Sequence, residues 1–499
     1  MNTIVEELVV RQHTPEQEAI LEFAATSKQN GMVQAYAGTG KTTILEEIGC
    51  AAAPELSPID DATEGKTIQY LVFGAKNAKE AVERMPACMD CRTINSLGHR
   101  AFSKSQGARL TVDKDKVHKI FRQMIAEEKG RGEIERMWSI FSEVTQGVAM
   151  AKSVGYVPEG QYPMAKRLCA VGAFHNLLDE VPEDDTADYI DAVLIKSIRQ
   201  AYNGLIDFND QVYMPALFGG TFERYPLTLV DEYQDLSPVN HALLERCIKG
   251  RLIGVGDRYQ NIYGFRGAKA AGMDDAVVQY DMEVLPLSVS FRCPSAVVQH
   301  VRWHVPKFQW HKEGGSVTLA TKLKAEGIVD DTTIICRNNA PLLACAFRLL
   351  SSGRAVSVVG VDIGPKLIAI MRKFGPDTLT REQVYTSIDN WLESKLERES
   401  KTAPDMAECM RVFAAMGKEL GQALIYAEDI FKRRGPITLT TGHKAKGLEY
   451  NNVIHIDPHL VRTNPTGRPA SEQDRNLDYV ISTRSKNLLT EVASEQIEW

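Results

Sequence analysis

The stretch Ala35-Tyr36-Ala37-Gly38-Thr39-Gly40-Lys41-Thr42 follows the apolar run 32–35 and precedes the helix-compatible Thr43-Ile44-Leu45-Glu46-Glu47-Ile48. It therefore sits at a strand-to-helix turn, where backbone N–H groups lie free. Glycines at 38 and 40 let the chain curl until those donors converge on phosphate oxygens, helped by the positive end of the following helix. Lys41 then reaches terminal phosphates, and the Thr42 hydroxyl is the expected Mg2+ ligand. Ala37, Gly38, Thr39, Gly40 and Thr43 complete the candidate cradle. Ala35 stands where the general pattern has its first glycine.

Working outward, Asp231-Glu232-Tyr233-Gln234 closes the apolar run 227–230, which reads as a buried strand of a parallel sheet, the kind whose ligands gather at carboxyl ends. Two adjacent acids at such a place are costly unless used. In phosphoryl transfer the first holds Mg2+ and the second polarises the attacking water. A third segment, Tyr479-Val480-Ile481-Ser482-Thr483-Arg484, adds a cation. Taken together, the three imply consumption of a nucleoside triphosphate, with ATP and Mg2+ as the expected cofactors.

The chain has 499 residues, more than one hydrophobic core usually serves, so two or more domains are expected. Its 44% apolar and 25% charged residues are those of an ordinary globular protein. No run approaches the roughly 20 apolar residues of a membrane span, and 1–10 is acidic rather than signal-like, which fits a cytoplasmic location. Nine cysteines are scattered, mostly in apolar surroundings, as reduced core thiols. Cys88 and Cys91 form one CxxC, but no second pair supplies the remaining ligands of a zinc site. With a net charge of −7, contact with a polyanion requires a local groove.

Strand-like runs at 32–35, 68–73, 227–230, 252–255, 333–336, 356–359, 437–440 and 453–456 alternate with helical text, an α/β pattern with parallel sheets. Strands vanish between about 103 and 205, where 117–130 and 133–143 read as helices. A second helical block covers about 363–432, with 380–399 and 405–433 at helical spacing; its apolar residues Trp391, Leu392, Leu396, Met410, Val412, Phe413 and Met416 read as packing faces. Residues 54–65 and 463–473 read as surface loops.

In order along the chain, these segments resemble the motifs of superfamily 1 DNA helicases of the UvrD/Rep/PcrA group. Thr14-Pro15-Glu16-Gln17 is similar to the adenine-reading glutamine motif, 35–42 to the phosphate loop, 73–85 to motif Ia and 91–98 to motif Ib. Residues 231–235 resemble motif II, 256–268 motif III, Ser290-Phe291-Arg292 motif IV, 441–449 motif V and 477–486 motif VI. The resemblance implies two RecA-like parallel-sheet P-loop NTPase lobes. Lobe 1A would span 1–102 and 206–285, with helical insertion 1B at 103–205. Lobe 2A would span 286–362 and 433–499, with a reduced 2B-like insertion at 363–432.

Roles follow from the same resemblance. Lys41, Asp231, Glu232, Gln260, Arg292 and Arg484 would be catalytic, Gln260 sensing the γ-phosphate and the two arginines reaching it from the second lobe. Neither arginine has an acidic partner at helical spacing. Gln17, Phe291 and Glu449 would hold adenine and ribose, and Thr42 and Asp231 the Mg2+. Phe73, Thr93, Asn95, Tyr263, Phe265, Arg266 and His443 would face single-stranded DNA or a single/double-strand junction, although Phe73 reads equally well as a core ring. Asn95 replaces the histidine usual in motif Ib, Val72 and Gly74 replace threonines, and Phe291 stands where tyrosine is usual. The implied activity is ATP-driven 3′ to 5′ movement on single-stranded DNA with duplex unwinding, in a bacterial or phage-infected cell beside the nucleoid. Two alternatives stay open: a translocase that displaces proteins or serves a partner complex, and a nucleotide-gated binding switch that does not step. RNA is also open as the strand, because stacking platforms do not read the sugar.

Overall fold

The computed structural model describes residues 12–178, 184–264, 271–359, 363–398, 400–463 and 470–498. Two six-stranded sheets organise it, both parallel throughout. The first holds β1 (Asn30–Ala35), β2 (Ile68–Val72), β3 (Met89–Thr93), β4 (Leu227–Val230), β5 (Arg251–Gly256) and β6 (Met282–Leu287), in the order β3-β2-β4-β5-β1-β6. Strands β2 and β4 are buried along their whole length, polar Gln69 and Thr228 included, as interior strands covered on both faces are.

Helix α1 (Pro15–Thr26) enters through a capping box between Thr14 and Gln17 with proline in the first turn, and α2 (Lys41–Ala52) starts directly after β1. Helix α3 (Ile94–Gln106) leads toward a helical block made of α4 (Lys116–Glu127), α5 (Phe141–Val154) and α6 (Asp184–Tyr202), followed by α7 (Asp210–Leu217) and α8 (Pro238–Cys247). The block shares one apolar cluster with the first sheet, running from Met32 and Leu71 to Phe121, Val148 and Leu194. At its centre Lys116 and Lys152 are fully buried against Asp210, and Lys152 also against Asp207, at 2.6–2.7 Å. Each ammonium thereby has a counter-charge where water is excluded.

The second sheet holds β7 (Ser316–Leu319), β8 (Thr332–Cys336), β9 (Val356–Val359), β10 (Ile437–Thr441), β11 (Tyr450–Ile456) and β12 (Ser485–Val492), in the order β7-β12-β11-β8-β10-β9. Helices α9 (Ile363–Met371), α10 (Arg381–Leu396), α11 (Ala403–Met416) and α12 (Leu420–Ile430) pack into the core of this sheet, and α13 (Glu472–Ser482) precedes β12. Met410 and Phe413 are fully buried there, whereas Leu396 and Met416 of the expected packing stripe are exposed.

Several expected boundaries shift. The reading 133–143 is two helices, broken between Ser139 and Phe141, and 405–433 is also two, broken at Gly417, which caps the first in extended backbone. A two-residue parallel pair, Thr111–Val112 with Leu205–Ile206, lies where no strand is expected. Strand β6 straddles the expected junction at 285/286. Among the described residues no helix is long and apolar enough to cross a membrane.

Candidate active site

Strands β4, β5 and β1 are neighbours, with Val230 opposite Gly254 and Gln34 opposite Gly256. Their carboxyl ends deliver Asp231, Asp257 and the glycine loop side by side. In that loop Gly38 and Gly40 have φ of +72° and +85°, the left-handed region that a side chain resists. Thr39 is buried and its hydroxyl donates to the Tyr36 carbonyl at 3.0 Å, pinning the curl. Lys41 opens α2, whose own first turn carries no acid. Burial opposes the Lys41 charge, but Glu232, Asp257 and Asp231 outweigh it and hold the ammonium above its ordinary range. Its Nζ lies 3.5 Å from Glu232 Oε2. Thr42 is exposed and Thr43 half-buried in the same turn.

The two acids sit in different fields. Burial and the neighbouring Glu232 charge push Asp231 up to about 7. Its carboxylate accepts from the Tyr70 hydroxyl at 3.2 Å and the Glu232 N–H at 2.8 Å. For Glu232 burial also raises, yet Lys41 and Lys446 pull its carboxyl down to about 2. Glu232 takes a left-handed φ of +48° and accepts from Gln234 Nε2 at 2.6 Å, a strained backbone held by its neighbours. Asp231 is thus a buried carboxylate short of positive charge. A carboxylate and a hydroxyl from Thr42 are the hard oxygen donors Mg2+ takes, so these residues fit that ion.

After β5, Asp257 is buried and accepts from Gln260 Nε2 at 2.6 Å and the Tyr259 N–H at 3.1 Å. Lys446 reaches in from the second half of the chain. Its ammonium donates to both Asp235 oxygens at 2.6 Å and to the Gln260 carbonyl at 2.7 Å, and lies 4.9 Å from the Tyr263 ring centre. The Tyr263 hydroxyl donates to the His443 carbonyl at 3.3 Å. Phe265 and Arg266 lie outside the described residues.

The opposite wall comes from the second half. Phe291 N–H donates to the Gly38 carbonyl at 2.9 Å and Ser290 Oγ to the Ala37 carbonyl at 2.8 Å. A Cβ at Gly38 would stand 2.4 Å from Arg292 Cβ, so only glycine permits this approach. The Phe291 ring is 40% exposed, with His311 at 4.9 Å, leaving a flat face open, and buried Gln17 lies in the cap of α1. Arg292 does have an acidic partner, distant in sequence: its Nε donates to Glu449 Oε2 at 2.7 Å, and Lys486 reaches the other oxygen at 3.3 Å. Arg484 is fully buried, donating to the Val480 and Leu448 carbonyls at 2.8 and 3.0 Å, and burial together with Arg292 pushes it down to about 10. The structure therefore brings Lys41, Asp231, Glu232, Gln260, Arg292 and Arg484 around one cleft. Sequence reasoning missed Asp257, Asp235 and Lys446 as site residues; Lys446 and Asp235 meet only across the fold, and Asp257 is held by Tyr259 and Gln260 of its own turn.

A separate groove of about 150 Å³ is lined by Phe73, Thr93, Asn95, Ser153, Asn209 and Asn240 among others. Phe73 is 43% exposed, which resolves its reading in favour of a surface ring. Thr93 caps α3 by accepting from the Ser96 N–H at 3.0 Å, and Asn95 Nδ2 donates to the Phe208 carbonyl at 2.7 Å. Both side chains thus shape the groove wall.

The family model described as UvrD/REP helicase N-terminal domain matches residues 13–281, more than half of the chain. The chain belongs to this family. It is similar to F-box DNA helicase protein 1 of Schizosaccharomyces pombe, 22% identical over 484 residues that cover 88% of this chain and 52% of that protein. DNA helicase IV of Escherichia coli is 26% identical over 282 residues, covering 48% of this chain and 39% of its own length. ATP-dependent DNA helicase PcrA of Staphylococcus epidermidis is 24% identical over 327 residues, covering 59% of this chain and 41% of its own. The chain spans about half the length of these relatives, or less.

Proposed function

We propose that the protein is an ATP-dependent DNA helicase, a motor that hydrolyses ATP in the cleft between its two sheets and moves 3′ to 5′ along single-stranded DNA, opening single/double-strand junctions. The division into lobes 1A and 2A with insertions 1B and 2B-like belongs to the same reading, as does a cytoplasmic site of action beside the nucleoid. One observation carries it: the phosphate loop and the acid pair of one half face Arg292 and Arg484 of the other, at a contact close enough for Gly38 to touch Arg292.

The chemistry follows from those groups. Gly38 to Thr42 and Lys41 hold the triphosphate, while the exposed face of Phe291 receives adenine and Gln17 its polar edge. Thr42 and Asp231 would hold Mg2+, which supplies positive charge to the phosphate oxygens. Glu232, kept ionised beside Lys41, accepts hydrogen bonding from the attacking water and orients it. Arg292, exchanging Glu449 for the γ-phosphate, and Arg484 neutralise charge that grows in the transition state, so turnover requires both halves. Glu449, released by Arg292 but still held by Lys486, then meets the ribose.

Coupling to the strand runs through Lys446 and Tyr263, which touch Gln260 and Asp235 on one side and His443 on the other. Phe73 and Tyr263 would offer faces for unstacked bases, each stack worth about 1–3 kcal/mol, with Thr93, Asn95 and His443 beside them, and the motif resemblance assigns Phe265 and Arg266 to the same strand. Replacing Tyr263 by alanine is expected to leave ATPase without DNA intact and to remove most of its stimulation by single-stranded DNA. Unchanged stimulation would reject this coupling route.

A further inference from the structure

Among the side chains that join the cleft walls, Tyr479 bonds both the phosphate loop and Asp257. We propose that Tyr479 is a positioning residue for hydrolysis: its hydroxyl ties the phosphate loop and the Asp257–Gln260 pair to helix α13, so that Gln260 is aimed only when the two halves have closed. The inference rests on the ATPase reading above and adds a residue to it.

The Tyr479 hydroxyl accepts from the Ala37 N–H at 2.8 Å and donates to Asp257 Oδ2 at 3.2 Å. Both contacts cross from the second half of the chain to the first, into the loop after β1 and the turn after β5. A phenol has one proton to give, and here it is spent on the carboxylate oxygen that also takes the Gln260 amide at 2.6 Å. Gln260 and Tyr479 therefore share one acceptor, and moving either moves the other. The ring is 1% exposed and wedged edge-on among Phe308 and Tyr259, with centroids at 5.9 and 6.1 Å, so the hydroxyl has no rotational freedom with which to follow a departing partner. Burial raises the phenol well above its ordinary range, which keeps it neutral and able to donate.

Arg484 lies two residues past the end of α13 and its Nε bonds the Val480 carbonyl, so the arginine and the tyrosine travel as one body. Withdrawal of α13 would leave the Ala37 N–H and Asp257 short of a partner in a buried place, a cost that makes closure cooperative. Tyr479 thus aligns Gln260 at the moment Arg484 arrives, without touching nucleotide itself.

The test uses the full chain, with ATP hydrolysis and fluorescent-nucleotide binding measured in parallel. Tyr479→Phe keeps the ring and removes only the oxygen. Its kcat with saturating single-stranded DNA is expected to fall at least about ten-fold, the factor that about 1.4 kcal/mol carries, while the nucleotide Kd moves less than three-fold. Asp257→Asn serves as the second variant. If the two act through one bond, the double variant costs no more than the worse single one. Full turnover in Tyr479→Phe, a loss confined to Tm or Kd, or multiplicative losses in the double variant would each overturn the proposal. A wild-type chain without DNA-stimulated ATPase would instead remove the reading beneath it, a separately visible result.

Discussion

Lys41 and Glu232 are each other's nearest counter-charge, with Nζ and Oε2 3.5 Å apart. Truncating the lysine removes the phosphate ligand and the leading electrostatic support of Glu232 together. Lys41→Ala is expected to lower ATP turnover on the order of a hundred-fold or more while single-stranded DNA affinity in a filter-binding titration stays within a few-fold. Turnover near that of the wild type would contradict the assignment. A second residue-scale consequence lies away from the cleft. Burial raises the Glu491 carboxyl, but hydrogen bonds from His300 and Arg462 outweigh it and hold it down to about 2, below its ordinary 4.5. A depressed acid stabilises the fold above its unfolded value and loses that contribution as pH falls, here between 4.5 and 2. The shift is worth on the order of 3 kcal/mol, so urea midpoints should drop across that window and do so less steeply in Glu491→Gln. Equal slopes in both proteins would refute it. At this scale the cleft groups Lys41, Asp231, Glu232, Arg292 and Arg484 were legible because each stands in a short local pattern. Tyr479 and Lys446 were not, since their meaning comes from partners that only folding brings near: Ala37 and Asp257 for one, Asp235 and the Gln260 carbonyl for the other.

At the scale of elements, interior strands announced themselves as short, mainly apolar or β-branched runs, β2, β4 and β8 being buried throughout. Of the four edge strands, only β9 did. Three of the four strands outside the reading, β3, β6 and β7, lie at sheet edges: β3 contains Asp90 and Arg92, β6 is interrupted by Glu283 and Pro286, and β7 is mostly exposed. Pairing on one side only relaxes the demand for apolar residues. The fourth, β12, sits inside its sheet, yet Lys486 and Asn487 open it in the tail of a segment already read for its cation. The break at Gly417 between α11 and α12 was hidden because apolar residues continue at helical spacing on both sides. The tie between the short helix Gly442–Ala445 and the turn after β4 depends on the buried pair Lys446–Asp235. Lys446→Met alone should cost about 3–5 kcal/mol in urea unfolding, because it strands a buried carboxylate. Pairing it with Asp235→Asn should recover most of that loss, and a double variant as unstable as the single would show the pair is not the cause.

Across the whole molecule, the two halves of the chain share the apolar cluster of Ala37 and Ile262 with Cys293, Val297, Phe308 and Val480. The helical blocks also meet: Glu143 of α5 accepts from Lys395 of α10 at 3.1 Å and from Arg398 at 2.6 Å. Glu143→Lys should set like charges together there and enlarge the radius of gyration in small-angle scattering at low salt, with the difference shrinking as salt screens it. Identical profiles would exclude the tie. This large-scale arrangement was legible only as an alternation of strand and helix plus a set of motifs in order; which faces meet is decided by contacts several hundred residues apart, which no window of sequence contains. The central claim is that cleavage of a triphosphate held between the two halves is coupled to a bound strand. Its most direct test is steady-state ATP turnover by the full chain against increasing single-stranded DNA, with duplex DNA and RNA alongside. Turnover is predicted to rise steeply and saturate with single-stranded DNA, more than with duplex. A rate indifferent to every polynucleotide would contradict the account.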